Sequence, residues 1–251
     1  SWHMPNTNRN AYEEYKKEHI KNAIFFDIDK FSNKKTELPH MLPNEEEWEK
    51  IVSNLGITNE DRIIVYDNSD VISSCRCWYT FIFFGHKPNL ISVLNGGFLK
   101  WKKENRETSD KVSNHEKKNY KAIKISHLVK SKEEIDKNIL EKKFQVVDAR
   151  SKNRFLGLEK EPRQDVRSGS IQNSYCLPFG ELINPEDKTF IEKNLIKKKF
   201  TNIGINNEKN IVFSCGSGIT AAVLGLAYSI INDKYLPAVY DGSWAEYGKI
   251  K

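Results

Sequence analysis

The chain has 251 residues, of which 38% are apolar and 29% are charged, a composition too apolar for a disordered chain and too polar for a membrane protein. Its longest apolar stretch, near 221–231, is much shorter than the roughly 20 residues that span a bilayer. Lysine and arginine exceed aspartate and glutamate by 40 to 34. Because the lysines are scattered along the chain, we expect no nucleic-acid partner and no membrane partner.

Short β-branched runs alternate with amphipathic stretches in chain order. The predicted strands are 63–66, 90–94, 144–147, 210–213 and 237–240, and the predicted helices are 44–55, 73–84, 131–141 and 219–231. Asn44 followed by three glutamates is typical of a helix N-terminus. The alternation of strand and helix predicts an α/β fold with parallel sheets.

The chain repeats itself at an offset near 148 positions. The run 63–67 leads through a loop and a helix to 93–98, as 211–215 leads to 239–244. Two copies of one α/β unit explain this pattern, so we place domains at 1–110 and 123–251 and a polar linker at 111–122. The second copy opens with a strand at 144–148 whose counterpart falls before Ser1. The first domain is therefore expected to lack its first strand in this chain.

The four cysteines are Cys75, Cys77, Cys176 and Cys215. Their spacing forms no CxxC pair, no cysteine–histidine cluster of the kind that binds zinc, and no disulfide framework. We therefore expect no metal site, and a reducing compartment, the cytoplasm, as the location.

The sharpest local signal is the run 214–221, Ser-Cys-Gly-Ser-Gly-Ile-Thr-Ala, between a predicted strand and a predicted helix. Its two glycines permit a tight curl that aims backbone N–H groups and the helix N-terminus at the thiol of Cys215. A site of this kind favours an anion and lowers the pKa of a thiol placed in it. The sequence therefore predicts a nucleophilic cysteine, although a small buried cysteine at a strand end is the structural alternative.

Three other motifs fit this loop less well. A protein-tyrosine-phosphatase loop needs an arginine six positions after the cysteine, where this chain has Ala221. An esterase elbow needs a glycine two residues before its serine, and Cys215 stands there. The spacing Gly216-x-Gly218-x-x-Ala221 matches a loose dinucleotide fingerprint. However, the ten residues after Asp241 leave no room for a second nucleotide-binding half.

The cysteine loop resembles the active-site loop of the rhodanese superfamily, and its Cys-Gly-Ser-Gly-x-Thr pattern looks like that of the 3-mercaptopyruvate sulfurtransferases. Thiosulfate-preferring relatives typically carry arginine and lysine directly after the cysteine, where this chain has the neutral Gly216 and Ser217. Runs that look like signatures of tandem rhodaneses occur at 6–15, 25–29, 39–43, 94–98 and 240–244. The resemblance covers the whole chain. It implies two rhodanese-like α/β domains, each a parallel sheet flanked by helices.

Arg154 and Arg163 lie nine positions apart around Gly157. A guanidinium binds a carboxylate through two parallel hydrogen bonds, so such a pair suits a small keto acid. In the mercaptopyruvate enzymes the matching arginines hold the substrate's carboxylate and keto oxygen, and the resemblance implies that role here. Two surface arginines in a charged loop are the alternative. Arg150 is expected to be structural or to pair with an acid of the other domain.

The resemblance also implies a proton relay in which His40 polarises Ser217 and Asp29 orients His40. Asp27 is a weaker candidate for the orienting acid. This relay requires the two domains to face each other. We further expect the backbone amides of the loop from Gly216 to Thr220, among them those of Gly216, Gly218, Ile219 and Thr220, to stabilise the negative charge, as an oxyanion hole does for oxygen.

The first domain is predicted to be catalytically silent. Asp67 stands where the second domain has Cys215, and a carboxylate cannot accept a sulfane sulfur. Cys75, Cys77 and Cys176 are predicted to be packing residues, with a redox or persulfide-relay role for the first two as the alternative.

Taken together, the sequence predicts a cytoplasmic sulfurtransferase that takes sulfur from 3-mercaptopyruvate onto Cys215. The sulfur is then passed to a small thiol, to thioredoxin or to cyanide, and no cofactor is implied. Two alternatives stay open at this point: a thiosulfate sulfurtransferase, and a non-catalytic sulfur-carrier or interaction protein.

Overall fold

A computed structural model describes residues 1–205, 210–232 and 235–250. The chain divides into two compact units. The first comprises Ser1–Lys34, Leu42–Ile125 and Glu186–Thr189, and the second comprises Lys35–Met41, Ser126–Pro185 and Phe190–Lys251. The domain boundaries at 110 and 123 stay predictions. The segment 35–41, which carries His40 and was predicted in the first domain, groups with the second unit.

The first unit joins short strands through helices, as its alternating sequence pattern predicts. Its α-helices are α1 (Ala11–Lys17), α2 (Ile28–Phe31), α3 (Glu45–Asn54), α4 (Ser74–Phe83) and α5 (Gly97–Lys103), and its strands are β1 (His19–Ile20), β2 (Ile63–Val65), β3 (Ile91–Val93) and β4 (Thr108–Ser109). Asn44 caps α3 in a reciprocal capping box with Glu47, which confirms the helix start predicted at this residue.

Aromatic side chains form the core of the first unit. Trp48 of α3 and Phe84 are fully buried, and their rings stack with centroids 5.1 Å apart. Phe81 of α4 meets Trp48 edge-on at 5.0 Å, and Phe26 meets it at 5.9 Å. Such edge-to-face pairs add to the free energy gained by burying the rings, so this cluster fixes α3 against α4.

A cavity of about 950 Å³ lies in the first unit beside β2. In this unit β2 pairs in parallel with β3, and β1 pairs antiparallel with β4. The cavity is lined by β2 and by the segment 22–26, and Ile64 of β2 is 60% exposed. The lack of a first strand in this domain stays a prediction.

The second unit is a parallel sheet with helices packed on it. Its α-helices are α6 (Lys132–Glu141), α7 (Lys152–Phe155), α8 (Lys193–Asn202), α9 (Ala221–Ile231) and α10 (Ser243–Tyr247), and its strands are β5 (Val129–Lys130), β6 (Phe144–Asp148), β7 (Tyr175–Cys176), β8 (Asn210–Ser214) and β9 (Ala238–Tyr240). Over the described residues the strand order is β5-β9-β8-β6-β7, with every neighbouring pair parallel. The predicted parallel α/β fold is confirmed.

The register of this sheet places the chemistry-bearing loops together. Asp148 at the end of β6 pairs with Ser214 at the end of β8, so Arg150 and Cys215 follow at the same sheet edge. The carboxyl edge of a parallel sheet is where ligands bind in open α/β folds. On one face of the sheet, Val146 and Val212 pack with Ile135 of α6 and Trp244 of α10.

None of the helices within the described ranges combines the length and the apolar character needed to cross a bilayer.

Candidate active site

The backbone after β8 curls around the sulfur of Cys215. Gly218 adopts φ +82°, a left-handed conformation that glycine reaches without steric cost. This turn lets the Gly218 amide donate a hydrogen bond to Sγ of Cys215 at 3.1 Å. α9 begins three residues later with Thr220 as its N-cap. The sulfur of Cys215 therefore faces a backbone donor just before a helix N-terminus, as the sequence predicted.

Residues of α10 fix the Cys215 loop through hydrogen bonds. The Cys215 amide donates to Oγ of Ser243 at 3.2 Å, and the amides of Trp244 and Ala245 donate to the carbonyls of Cys215 and Gly216, each at 2.9 Å. Cys215 is 2% exposed. The loop conformation is thus fixed before any ligand binds, which lowers the cost of reorganisation when charge develops on it.

His40 contacts this loop through Ser217. Nδ1 of His40 and Oγ of Ser217 are hydrogen-bonded at 2.9 Å, and both residues are buried. His40 adopts φ +59°, a conformation that non-glycine residues rarely hold unless their surroundings impose it. Because the segment 35–41 belongs to the second unit, this contact lies within one unit. The structure therefore brings together the predicted pair of His40 and Ser217.

Asp29 lies in α2 of the first unit, where its residue is exposed. Asp27, the weaker candidate, instead caps α2 by accepting a hydrogen bond from the Lys30 amide at 2.9 Å. The orienting role of Asp29 toward His40 stays a prediction. The amide of Gly218 is the loop donor that the structure places on the sulfur, and the ligand contacts of Gly216, Ile219 and Thr220 also stay predictions.

Arg154 lies directly against the cysteine loop. Its short helix α7 is capped by Ser151, whose Oγ accepts a hydrogen bond from the Arg154 amide at 3.3 Å. A Cβ added at Gly216 would lie 3.2 Å from Nη2 of Arg154. The lack of a side chain at Gly216 therefore makes room for the guanidinium next to Cys215.

Arg163 shares the electrostatic environment of Arg154 and Cys215. Burial lowers the pKa of Arg163, and the positive charge of Arg154 lowers it further, whereas Asp165, Cys215 and Glu161 act in the opposite direction. The guanidinium groups of Arg154 and Arg163 therefore both act on the surroundings of Cys215, with Glu161 and Asp165 as nearby acids. A guanidinium pair of this kind can bind the carboxylate of a small anion.

Arg150 is a structural residue of the second unit. Its guanidinium forms a fork of hydrogen bonds with Asp148 at 2.7–3.1 Å and binds Glu161 at 2.7 Å. It also lies 4.5 Å from the ring centroid of Trp244. Burial is the largest single effect on the pKa of Arg150 and lowers it, but the charges and hydrogen bonds of Asp148 and Glu161 together outweigh burial, so the pKa is raised. Of the two predicted alternatives, the structural role is the one observed.

Sequence reasoning gave no role to Glu161, Ser243 or Trp244. All three lie beside residues that were singled out for other reasons. Glu161 directly precedes Pro162-Arg163, and Ser243 and Trp244 follow Asp241-Gly242. An acid between two candidate substrate arginines is the signal that could have identified Glu161, but spacing alone does not show which arginine it binds.

The first unit carries a counterpart of the cysteine loop with an acid in place of the thiol. The Phe98 amide donates to the Asp67 carbonyl at 2.8 Å, as the Trp244 amide does to that of Cys215. The Asp67 carboxylate accepts hydrogen bonds from the Ser74 amide at 2.6 Å and from Oγ of Ser73 at 3.3 Å. The donors at the start of α4 are therefore occupied by the protein's own carboxylate.

Of the other cysteines, Cys75 and Cys77 are buried, as expected of packing residues, whereas Cys176 is partly buried and its thiol lies 3.7 Å from the Arg150 carbonyl oxygen. Burial raises the pKa of Cys75 well above its ordinary value, raises that of Cys77 to about 12, and raises that of Cys176 to about 11. All three thiols therefore stay protonated at neutral pH and are poor nucleophiles. Within the described part of the chain, no group of three or more His, Cys, Asp or Glu side chains is placed to hold a metal ion.

Comparison with known proteins gives a family match in each half of the chain. The rhodanese-like domain family matches residues 9–104 and 131–249. The second match contains the whole cysteine loop together with Arg154 and Arg163.

Two curated relatives align over 98% of the chain. One is thiosulfate/3-mercaptopyruvate sulfurtransferase 1, mitochondrial, from Arabidopsis thaliana, which is 36% identical and of which 70% is covered. The other is 3-mercaptopyruvate sulfurtransferase from Mus musculus, which is 36% identical and of which 82% is covered.

A solved structure is similar over most of its length. It is the crystal structure of SseA from Escherichia coli, described with the rhodanese fold of 3-mercaptopyruvate sulfotransferases. It superposes with a TM-score of 0.84 at 29% identity, over 95% of this chain and 88% of SseA.

Proposed function

This chain belongs to the rhodanese-like family, and we propose that it is a sulfurtransferase that moves sulfur from 3-mercaptopyruvate to a thiol acceptor through a persulfide of Cys215. The observation that carries this proposal is the geometry of one loop. The sulfur of Cys215 accepts a hydrogen bond from the Gly218 amide at 3.1 Å. The guanidinium of Arg154 lies against Gly216, the residue that follows Cys215.

In the first half-reaction the thiolate of Cys215 attacks the sulfur of 3-mercaptopyruvate. A sulfur–sulfur bond forms and the carbon–sulfur bond breaks, and its electron pair leaves on carbon as the enolate of pyruvate. The enolate then takes up one proton and departs as pyruvate, so that Cys215 keeps the transferred sulfur as a persulfide. The amide of Gly218 supports negative charge on the reacting sulfur throughout this step.

Arg154 and Arg163 hold the donor, because their two guanidinium groups match its carboxylate and keto oxygen. His40 and Ser217 supply the proton to the enolate, with Asp29 as the acid that orients His40. This assignment is supported by the hydrogen bond between His40 and Ser217.

In the second half-reaction an acceptor removes the outer sulfur and restores the thiolate. The acceptor is a small thiol or a protein thiol such as thioredoxin, with cyanide as a laboratory substitute. Two separate half-reactions predict ping-pong kinetics.

Thiosulfate is the competing donor, and one of the relatives carries both donors in its name. The positions directly after Cys215 favour 3-mercaptopyruvate, since Gly216 and Ser217 add no charge for a dianion. The test is to incubate the protein with each donor and a thiol acceptor, and to assay pyruvate and sulfite. A higher kcat/KM for pyruvate release is expected, and a higher value for sulfite release would overturn the donor assignment.

We propose a reducing compartment, the cytoplasm, as the place of action. The support is that each of the four cysteines, all within the described residues, is free, as expected where thiols are kept reduced. Fractionation of cells with an antibody to the protein tests this, and recovery in an organelle would contradict it.

A further inference from the structure

Glu161 lies between two arginines of the second unit and binds both. Its Oε2 accepts a hydrogen bond from Nη2 of Arg154 at 2.5 Å, and its Oε1 accepts from Nε of Arg154 at 3.3 Å. The same Oε1 accepts from Nη1 of Arg150 at 2.7 Å. One carboxylate therefore links the arginine beside the cysteine loop to an arginine embedded in the fold.

Arg150 is a rigid anchor for this carboxylate. Its guanidinium is fixed by Asp148, by the Gly169 carbonyl at 2.8 Å and by the ring of Trp244. Exposure of the side chains rises outward along the series, from 1% for Arg150 to 4% for Glu161 and 19% for Arg154. Arg154 is thus bound by Glu161, and Glu161 is in turn fixed by the buried Arg150.

The hydrogen bonds between Glu161 and Arg154 leave one edge of the Arg154 guanidinium for a ligand. A guanidinium presents two edges with paired N–H groups, and each can bind a carboxylate. Glu161 occupies the Nε–Nη2 edge, and among the described residues no hydrogen bond involves Nη1. The Nη1–Nη2 edge is therefore the one that can receive a donor carboxylate.

We propose that Glu161 is a positioning residue that fixes Arg154 with its Nη1–Nη2 edge presented to the carboxylate of the sulfur donor. This inference rests on the function proposed above. An arginine that is already oriented loses little rotamer freedom when the donor binds, so binding is tighter and the donor sulfur arrives aligned with Cys215.

The test separates orientation from charge by comparing two substitutions. Glu161→Gln and Glu161→Ala both remove the negative charge, but the glutamine keeps an oxygen that accepts a hydrogen bond from Arg154. Each change is made in a Cys215→Ser background, and pyruvate binding is measured by calorimetry. We expect the alanine variant to bind pyruvate about five- to tenfold more weakly than the glutamine variant.

Glu159 supplies the matched control. It is exposed in the same loop, and its carboxylate accepts a hydrogen bond from Oγ of Ser151. Glu159→Gln and Glu159→Ala should bind pyruvate equally, within about twofold. A loss of folded protein lowers the number of binding sites but leaves the dissociation constant unchanged, so a purely structural defect does not produce the expected ratio.

Equal dissociation constants for the two Glu161 variants would overturn the positioning role, as would failure of pyruvate to bind in the Cys215→Ser background. The KM for 3-mercaptopyruvate in the two Glu161 variants with Cys215 intact should show the same ratio. If the unaltered protein releases no pyruvate but the binding ratio is found, the proposed reaction fails and the positioning role stands.

Discussion

His40 and Ser217 are 177 positions apart in the sequence, and Nδ1 of His40 is hydrogen-bonded to Oγ of Ser217 at 2.9 Å. Each is more than nine-tenths buried, and Ser217 follows Cys215 by two residues. The imidazole of His40 is thus connected to the Cys215 loop through the hydroxyl group of Ser217. Both residues belong to the second unit. This geometry is why we assign to the pair the proton that the enolate takes up.

Replacement of His40 tests the assignment of that proton. His40→Ala removes the partner of Ser217, and we expect kcat for pyruvate release to fall by about 10- to 100-fold because the enolate loses its proton source. Steady-state assays of pyruvate with 3-mercaptopyruvate measure this. The control is His127→Ala, at an exposed position, which should retain full activity. Equal rates for the two variants would remove His40 from the mechanism.

Arg163→Lys is expected to make donor binding sensitive to pH. Burial and the charge of Arg154 lower the pKa of the group at this position, and a lysine starts from a lower pKa than an arginine. As pH rises, the lysine loses its charge while the native arginine keeps it. The ratio of the variant's KM to that of the unaltered protein should therefore increase between about pH 7 and 9.5. A KM ratio that stays constant over this pH range would show that burial and the charge of Arg154 do not lower the pKa of the group at position 163.

Arg150→Met is expected to destabilise the protein. The substitution leaves the carboxylates of Asp148 and Glu161 buried without their shared cation, at a cost of about 3–5 kcal/mol in the free energy of unfolding. Urea denaturation followed by circular dichroism measures this cost. Arg167 packs on the same ring of Trp244, 4.7 Å from its centroid, but is exposed. Arg167→Met should cost less than about 1 kcal/mol, and an equal loss in both variants would refute the role of the buried ion pairs.

Alkylation should distinguish Cys215 from the other thiols. Because burial raises the pKa of Cys77 to about 12 and that of Cys176 to about 11, their thiolate fractions at pH 8 are on the order of 10⁻⁴ and 10⁻³. Iodoacetamide at pH 8 should therefore label Cys215 first, and Cys176 should gain reactivity only as pH approaches 11. Peptide mass spectrometry follows the labels. Labelling of Cys75 or Cys77 as fast as Cys215 at pH 8 would contradict this.

Local patterns predicted most of the fold and the nucleophile's loop. The β-branched run 210–213 forms β8, and the glycine at 218 takes the positive φ that the turn requires. These features depend on neighbours in sequence, so periodicity and glycine placement encode them. The counterpart relation of Asp67 and Cys215 also followed from the repeat.

Contacts that depend on how loops fold could not be predicted from these patterns. The binding of Glu161 to Arg154 and Arg150 is set by how the segment after α7 folds back on α7 and on the end of β6, and no periodicity encodes it. The grouping of 35–41 with the second unit depends likewise on tertiary packing rather than on chain order. The resemblance to a family supplied His40 as a candidate, but its hydrogen bond to Ser217 required the structure.

The most direct test of the account is the mass of the peptide that contains Cys215 after incubation with 3-mercaptopyruvate and no acceptor. We predict a gain of one sulfur atom on that peptide, reversed by a reducing thiol, with one pyruvate released for each sulfur gained and no gain in the Cys215→Ser variant. Pyruvate release without sulfur on Cys215, or sulfur on another cysteine in its place, would contradict the account.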